Sequence, residues 1–249
     1  MSIITKTDAE IDLMREPCAI VRDTLAFVGE RISAGMSTKE VDELVERFIR
    51  AAGAYPSCLG YGGFPASACV SVNEVVVHGI PDDKTILKDG DIVSVDLCAY
   101  KNGFHGDAAR TFLIGNVSEE KRLLVERTKE CFFKGIENLH AGTPLYDIGY
   151  RVQKYAESFG YGVIRSYTGH GIGREMHEDP AVPNYGRLGT GPRLKANTVI
   201  CIEPMISMGN YRVRILDDDW GAVTIDGSPA AHYENTVAVR EDGVEILTL

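Results

Sequence analysis

The sequence predicts an α+β fold. Two similar halves, each built as helix–helix–strands and related by a pseudo-twofold axis, pool their strands into an antiparallel sheet covered by helices. Three observations carry this reading. First, ISAGMSTKEVDELVERFIRAAG (Ile32–Gly53) lies without gaps on LHAGTPLYDIGYRVQKYAESFG (Leu139–Gly160), 107 residues further on, with two glycines and the apolar positions coinciding. Second, the same offset of 107 lays LKDGDIVSVD (Leu87–Asp96) on LKANTVICIE (Leu194–Glu203), so that Asp96 has an acidic counterpart in Glu203. Third, each half opens with two stretches of helical apolar periodicity and continues in β-rich sequence. We therefore expect one catalytic-size domain, residues 1–249, with halves of about 1–115 and 116–249.

In order along the chain, Ile11, Met14, Cys18, Val21, Leu25, Val28 and Ile32 recur at three- and four-residue steps and predict a helix from about Asp8 to Ser33. Pro17 either kinks this helix or marks its true start. Ala34-Gly35 ends it. Ser37-Thr38-Lys39-Glu40 has capping-box spacing before a second helix carrying Val41, Leu44, Val45, Phe48 and Ile49, which Gly53 stops. Tyr55 to Pro81 reads as loops and strands. From Ser118 the pattern repeats, with a helix to about Leu139 and another from Pro144 to Phe159 before Gly160. HGD (His105–Asp107) matches HYE (His232–Glu234) at an offset of 127, which leaves about twenty extra residues for the second half, assigned to a Gly209–Pro229 loop.

The stretch Ile92–Phe112 is the most informative. Asn102-Gly103 between β-rich runs predicts a two-residue hairpin loop. Asp96 then faces Ala109, and Asp107 lies one diagonal step away on the same strand face. Like charges on one face repel, so such a pair needs a cation, a shared proton or water. The duplication adds Glu203 and Glu234, and the pseudo-axis brings all four acids together. No Lys or Arg stands beside them in sequence apart from Arg110. Four carboxylates with one or two imidazoles suit Mn, Co, Fe or Zn, and a pair of ions roughly 3.5–4 Å apart is the two-metal arrangement of aminopeptidases and phosphatases. His170 is the candidate imidazole, because Gly169 and Gly171 allow close approach, and His177 follows it. His78, ending a strand beside Gly79, is a candidate active-site donor. His105 and His232 read as structural, and His140 as a helix cap.

Composition excludes other classes. A formal charge of −10 and pI near 5.1 argue against a nucleic-acid surface and against acidic substrates. No apolar run reaches transmembrane length, and MSIITKTDAEIDLM lacks the order of a signal peptide, so a cytoplasmic location without membrane partners is expected. Six scattered cysteines without a CxxC pair indicate neither a zinc ribbon nor a disulfide scaffold. Gly169–Gly173 is not a GxGxxG phosphate loop, HExxH is absent, and a cysteine protease built on Cys58 or Cys69 would leave the acids unexplained.

NEVVVHGIP, VSVDLCAYKNGFHGDAARTF, TGHGIGREMHEDP, ICIEPM and HYENTVAV, in this order, resemble the type I methionine aminopeptidases, metallopeptidases of the pita-bread fold. The resemblance covers nearly the whole chain. It implies a hydrolase that removes the initiator methionine from nascent proteins when the second residue is small. It makes Asp96, Asp107, His170, Glu203 and Glu234 the ligands of two divalent ions, Co, Mn, Fe or Zn, with Asp107 and Glu234 bridging both. Glu203 would also be the general base for a metal-activated water. His78 and His177 would donate to the substrate and to the tetrahedral oxyanion. Cys58, Tyr61, Phe64, Cys69, Met176 and Trp220 match the wall of the methionine pocket, whose soft, aromatic surface suits a thioether. Phe64 and Met176 depart from the tyrosine and the aromatic residue of the best-known bacterial enzymes. The chain starts directly at its first helix, without the zinc-binding extension of eukaryotic relatives, so the bacterial form, a cytoplasmic monomer, is expected. Its partners would be nascent N-termini, with the ribosome as a candidate docking partner. A related dimetal peptidase of other preference and a non-catalytic binding module are the alternatives. The five intact ligand positions oppose the second.

Overall fold

The computed structural model describes residues 3–249. Met1 and Ser2, which open the expected domain, lie outside the described residues. The first half runs α1 (Asp8–Gly29), α2 (Thr38–Ala51), β1 (Tyr55–Pro56), a 3₁₀ turn at Tyr61–Gly63, β2 (Cys69–Val72), β3 (Val75–Val77), β4 (Ile92–Lys101) and β5 (Phe104–Leu113). The second runs α3 (Glu119–Gly135), α4 (Tyr146–Glu157), β6 (Gly162–Val163), β7 (Gly169–Gly171), β8 (Glu178–Val182), β9 (Val199–Ile202) and β10 (Met205–Ser207). It closes with β11 (Val213–Ile215), β12 (Ala222–Thr224), β13 (Ala230–His232), β14 (Asn235–Val239) and β15 (Val244–Ile246).

The duplication is written in the backbone, hydrogen bond for hydrogen bond. Gly35 N–H donates to Leu87 O at 2.8 Å, and Gly142 N–H to Leu194 O at 2.7 Å, each partner 107 residues from its equivalent. The bridge Ser37↔Ile86 recurs as Pro144↔Arg193. Gly35 and Gly142 have φ of +94° and +90°, and Gly53 and Gly160 have +70° and +81°. A side chain there would be strained, which is why glycine punctuates both halves.

The first helix starts at Asp8, capped by a box the sequence reading passed over: Thr7 accepts from Glu10 N–H, and Glu10 in turn accepts from Thr7 N–H. It runs through Pro17 and ends at Gly29, four residues before the predicted Ser33. Ser37 caps the second helix as expected. Helices α3 and α4 are shorter than predicted at both ends of their spans, and His140 caps neither: it lies beyond α3, its ring Nδ1 bonded to Ala141 O. Val21, Leu25 and Val28 of α1 pack with Val41, Val45 and Ile49 of α2 on Val93, Val95 and Leu97 of β4. Phe132 of α3 and Ile148 of α4 cover Ile200, Ile202, Val237 and Val239 of β9 and β14. Each such side chain, fully buried, is worth about 1.5–3 kcal/mol. The N-terminal half of α1 crosses to the other half, where Ile11, Met14 and Cys18 meet Val199, Cys201 and Leu247.

All strand pairs are antiparallel, but the expected single sheet is divided. β4 lies between β1 and β2 and also pairs with β5, while β15-β14-β9-β7-β8 forms a second sheet. Two three-stranded sheets, β13-β10-β6 and β11-β12-β3, complete the architecture. At the pseudo-axis no continuous ladder joins the halves; side-chain bonds do so, with a backbone bond from Glu234 N–H to Ala109 O. Thr236 Oγ1 accepts from Asp107 N–H at 3.0 Å and donates to Asp107 O at 2.8 Å, and Thr111 Oγ1 makes the same pair of bonds to His232. The Gly209–Pro229 insertion is not a loop. It contains the β11-β12 hairpin, which docks on β3 through Ala222↔Val77.

Candidate metal centre

The β4-β5 hairpin has the predicted register: Lys101 pairs with Phe104 around Asn102-Gly103, Asp96 with Ala109 and Cys98 with Asp107. Asn102 and Gly103 both have positive φ, as a two-residue loop of this kind requires. The second half presents its acids differently. Ile202 pairs with Asn235, so Glu203 and Glu234 stand just past the end of the ladder, directly opposite one another. Pro204, which has no N–H to donate, follows Glu203. Glu234 N–H reaches across the axis to Ala109 O at 3.0 Å.

These strands bring all four acids to one chamber of about 150 Å³, together with His78, His170 and His177. Asp107 and Glu234 are 6% and 2% exposed, and Asp107 Oδ1 and Glu234 Oε1 have no hydrogen-bond partner. Burial pushes Asp96 up to about 7. Burial first, and the neighbouring acids second, hold Asp107, Glu203 and Glu234 well above the usual carboxylate range. Arg110 makes no direct ion pair with them. Its guanidinium turns behind the chamber, donating to Glu234 O, to Asn235 Oδ1 at 2.7 Å and to Thr248 O, and stacks 4.3 Å over the Tyr233 ring. Buried oxygens without partners and acids without a counter-charge fit divalent cations.

His170 presents a neutral nitrogen donor to the acids. Its Nδ1 lies 2.8 Å from Gly171 O, which sets the proton there and turns the Nε2 lone pair toward the acids. Nε2 is 3.7 Å from Glu203 Oε1 and 3.9 Å from Asp107 Oδ2, and burial lowers the ring pKa to about 3. Gly169 and Gly171 are needed on either side: an added Cβ would come 2.3 Å from Cys201 O and 2.2 Å from Asp179 O. His78, at φ +60° just beyond β3, stacks edge-on with Tyr167 at 5.1 Å, and burial lowers its pKa. His177 Nδ1 lies 2.8 Å from the Tyr61 hydroxyl, and its ring centroid is 4.2 Å from that of His170.

A second cavity of about 170 Å³ adjoins the first and shares Asp96, Asp107, His78 and His177 with it. Cys58, Tyr61, Phe64, Cys69, Met176 and Trp220 all line it. Trp220 comes from the insertion; its ring meets Phe64 edge-on at 5.1 Å. His105 and His232 lie outside the apolar cavity. His105 bonds Ser57 Oγ at 2.9 Å, whereas His232 Nε2 sits 3.7 Å from Glu203 Oε2. Sequence reasoning missed Tyr167, Thr168 and Met205 in the acid chamber, and Cys201, whose Sγ lies within 4.8 Å of ligand atoms of Asp107, His170 and Glu234. Strand alternation was the available signal for Cys201, since it stands two residues before Glu203 on the same face.

Two cavities of this kind, one acidic with imidazoles and one apolar, define a metal-dependent hydrolase site. Residues 12–241 match Metallopeptidase family M24, and the chain belongs to that family. It is an aminopeptidase-type metallopeptidase with the pita-bread fold. A methionine aminopeptidase of Clostridium acetobutylicum is 55% identical over 247 residues, 99% of each chain. Methionine aminopeptidase 1 of Bacillus subtilis is 47% identical over 246 residues, again 99% of each. Among solved structures, methionine aminopeptidase from Rickettsia prowazekii superposes with a TM-score of 0.98 at 41% identity, covering 100% of both chains.

Proposed function

We propose that this chain removes the N-terminal methionine from nascent polypeptides whose second residue is small. The observation that carries the reading is the junction of the two cavities at Asp96 and Asp107: a thioether-sized apolar chamber opens directly onto the acid cluster. In this reading Asp96, Asp107, His170, Glu203 and Glu234 would hold two divalent ions, of Co, Mn, Fe or Zn. When bound, such ions lower the pKa of a water and polarise the scissile carbonyl. Glu203 takes the proton of the attacking water and passes it to the leaving amine. His177, at the chamber mouth, donates to the oxyanion, and His78 donates to the substrate backbone. The apolar cavity, beside the acid cluster, holds the methionine side chain.

The same reading makes residues 1–249 one catalytic domain acting as a cytoplasmic monomer on chains leaving the ribosome. Its six free cysteines accord with a reducing compartment. A panel of Met-Ala, Met-Lys and Xaa-Pro peptides with Mn²⁺ tests it. Release of Met from Met-Ala alone is expected, and cleavage restricted to Xaa-Pro would overturn the assignment.

A further inference from the structure

We infer that Cys201 gives the acid chamber a second way of holding an ion. A thiophilic divalent cation such as Zn²⁺ or Cd²⁺ is bound by Cys201, His170, Asp107 and Glu234, and this excludes the pair of ions that supports hydrolysis. The inference rests on the reading of the chamber as a metal centre. It adds a ligand and an inhibitory state to that reading.

Three observations carry it. A donor atom from each of these four residues lies within 4.8 Å of all the others, a spacing that one central ion closes with small side-chain movements. Two of the four are buried acids with an oxygen that nothing in the protein satisfies, Asp107 Oδ1 and Glu234 Oε1. Cys201 is fully buried, and its sulfur lies 3.6 Å from Thr236 Oγ1 and also meets the Glu234 carboxylate, so it already faces the acids. One sulfur, one imidazole nitrogen and two carboxylate oxygens make a four-coordinate set that favours zinc-like, thiophilic ions over Mn²⁺. Asp96 and Glu203 are not in this set, so an ion drawn to the sulfur leaves the catalytic pair incomplete. Forming the sulfur–metal bond releases the thiol proton to solvent, and no electrons change hands.

The test titrates the metal-free, full-length protein with Cd²⁺ and follows the ultraviolet thiolate-to-cadmium charge-transfer absorption. Wild type should gain a band equivalent to one thiolate at the first equivalent of ion. Cys201→Ser should lose it, while Cys58→Ser and Cys69→Ser, which change the thiols of the neighbouring cavity, keep it. In Mn²⁺-loaded protein, the Cd²⁺ needed to halve Met release should rise about tenfold or more in Cys201→Ser. Should the serine variant fail to fold, Cys201→Ala, which adds no buried polar group, gives the same reading. A band that survives loss of Cys201, or disappears with Cys58 or Cys69, overturns the inference. Mn²⁺ binding and Met release without any thiolate band would overturn it alone, whereas failure to bind either ion would overturn the metal-centre reading as well.

Discussion

Arg110 is one residue from Ala109, the residue facing Asp96, yet it forms no direct ion pair with the acids, because its guanidinium is occupied by oxygens behind them. The chamber therefore depends on what enters it, and its two histidines should respond differently to removal. His170→Ala deletes a neutral donor aimed at Asp107 and Glu203, and is expected to abolish bound metal and activity together. His177→Ala should retain its metal, measured by atomic absorption, while turnover falls by about 10²–10³, the usual loss for one oxyanion donor. Equal metal loss in both variants would refute the separate roles. Both histidines were legible in the sequence, since a glycine-flanked His has no packing purpose and His177 follows it on the same loop. Tyr167 and Thr168 were not. Their side chains reach the chamber only because the chain approaching β7 runs along its wall, and no spacing rule announces that.

At the scale of elements, the segment that carries Met176 and His177 is fixed from outside the chamber. Glu178 accepts from Arg174 N–H at 2.9 Å and from Glu175 N–H, and its other oxygen pairs with Lys6, both side chains being buried. Lys6→Met would strand the Glu178 charge in a dry site. We expect a loss of about 3–5 kcal/mol in unfolding free energy, read from a denaturant melt. No change would mean that solvent already screens the pair. Thr236→Val should cost about 1–3 kcal/mol, because the stitch to both Asp107 backbone groups is lost and those groups have no other partner there. A variant as stable as wild type would place the join of the halves elsewhere. The helices themselves were readable from apolar spacing, but both first helices of the repeat were drawn too long. Ile32 and Leu139, equivalent at the offset of 107, continue the spacing from turns and still pack on the core, so periodicity overran the hydrogen-bonded helix in the same place twice. The β11-β12 hairpin was invisible for the opposite reason: Val213–Ile215 is largely exposed and shows no alternation.

For the molecule as a whole, the uncompensated acids set a pH dependence whose sign can be worked out. Asp96 titrates near 7 in the metal-free fold and near 3.9 when unfolded, so between these values the folded chain holds protons that the unfolded chain has lost. The acids therefore lower metal-free stability as pH rises, the three others extending the fall above pH 7, whereas the buried histidines, held below their ordinary value by burial, act in the opposite sense below about pH 6.5. Above about pH 6.5, where the histidines no longer titrate in either state, the melting temperature of metal-free protein is expected to drop, from about pH 7 to 9, while the gain on adding Mn²⁺ grows over the same span. A flat or rising metal-free curve would contradict this. The duplicated plan was legible because glycine punctuation survives wherever positive φ is obligatory. The division into several sheets was not, since strand sequences carry no record of where a ladder stops. The acids contributed by the two halves also arrive at different times during synthesis. Asp107 and Glu234 are 127 residues apart, so at about 5–20 residues per second a growing chain presents its first pair of acids roughly 6–25 s before the last one exists. A half-made chain can offer a passing ion only the two carboxylates of the hairpin. The full lining of the chamber exists only once synthesis has delivered His170, Glu203 and Glu234, when α1 can also reach its contacts in the second half.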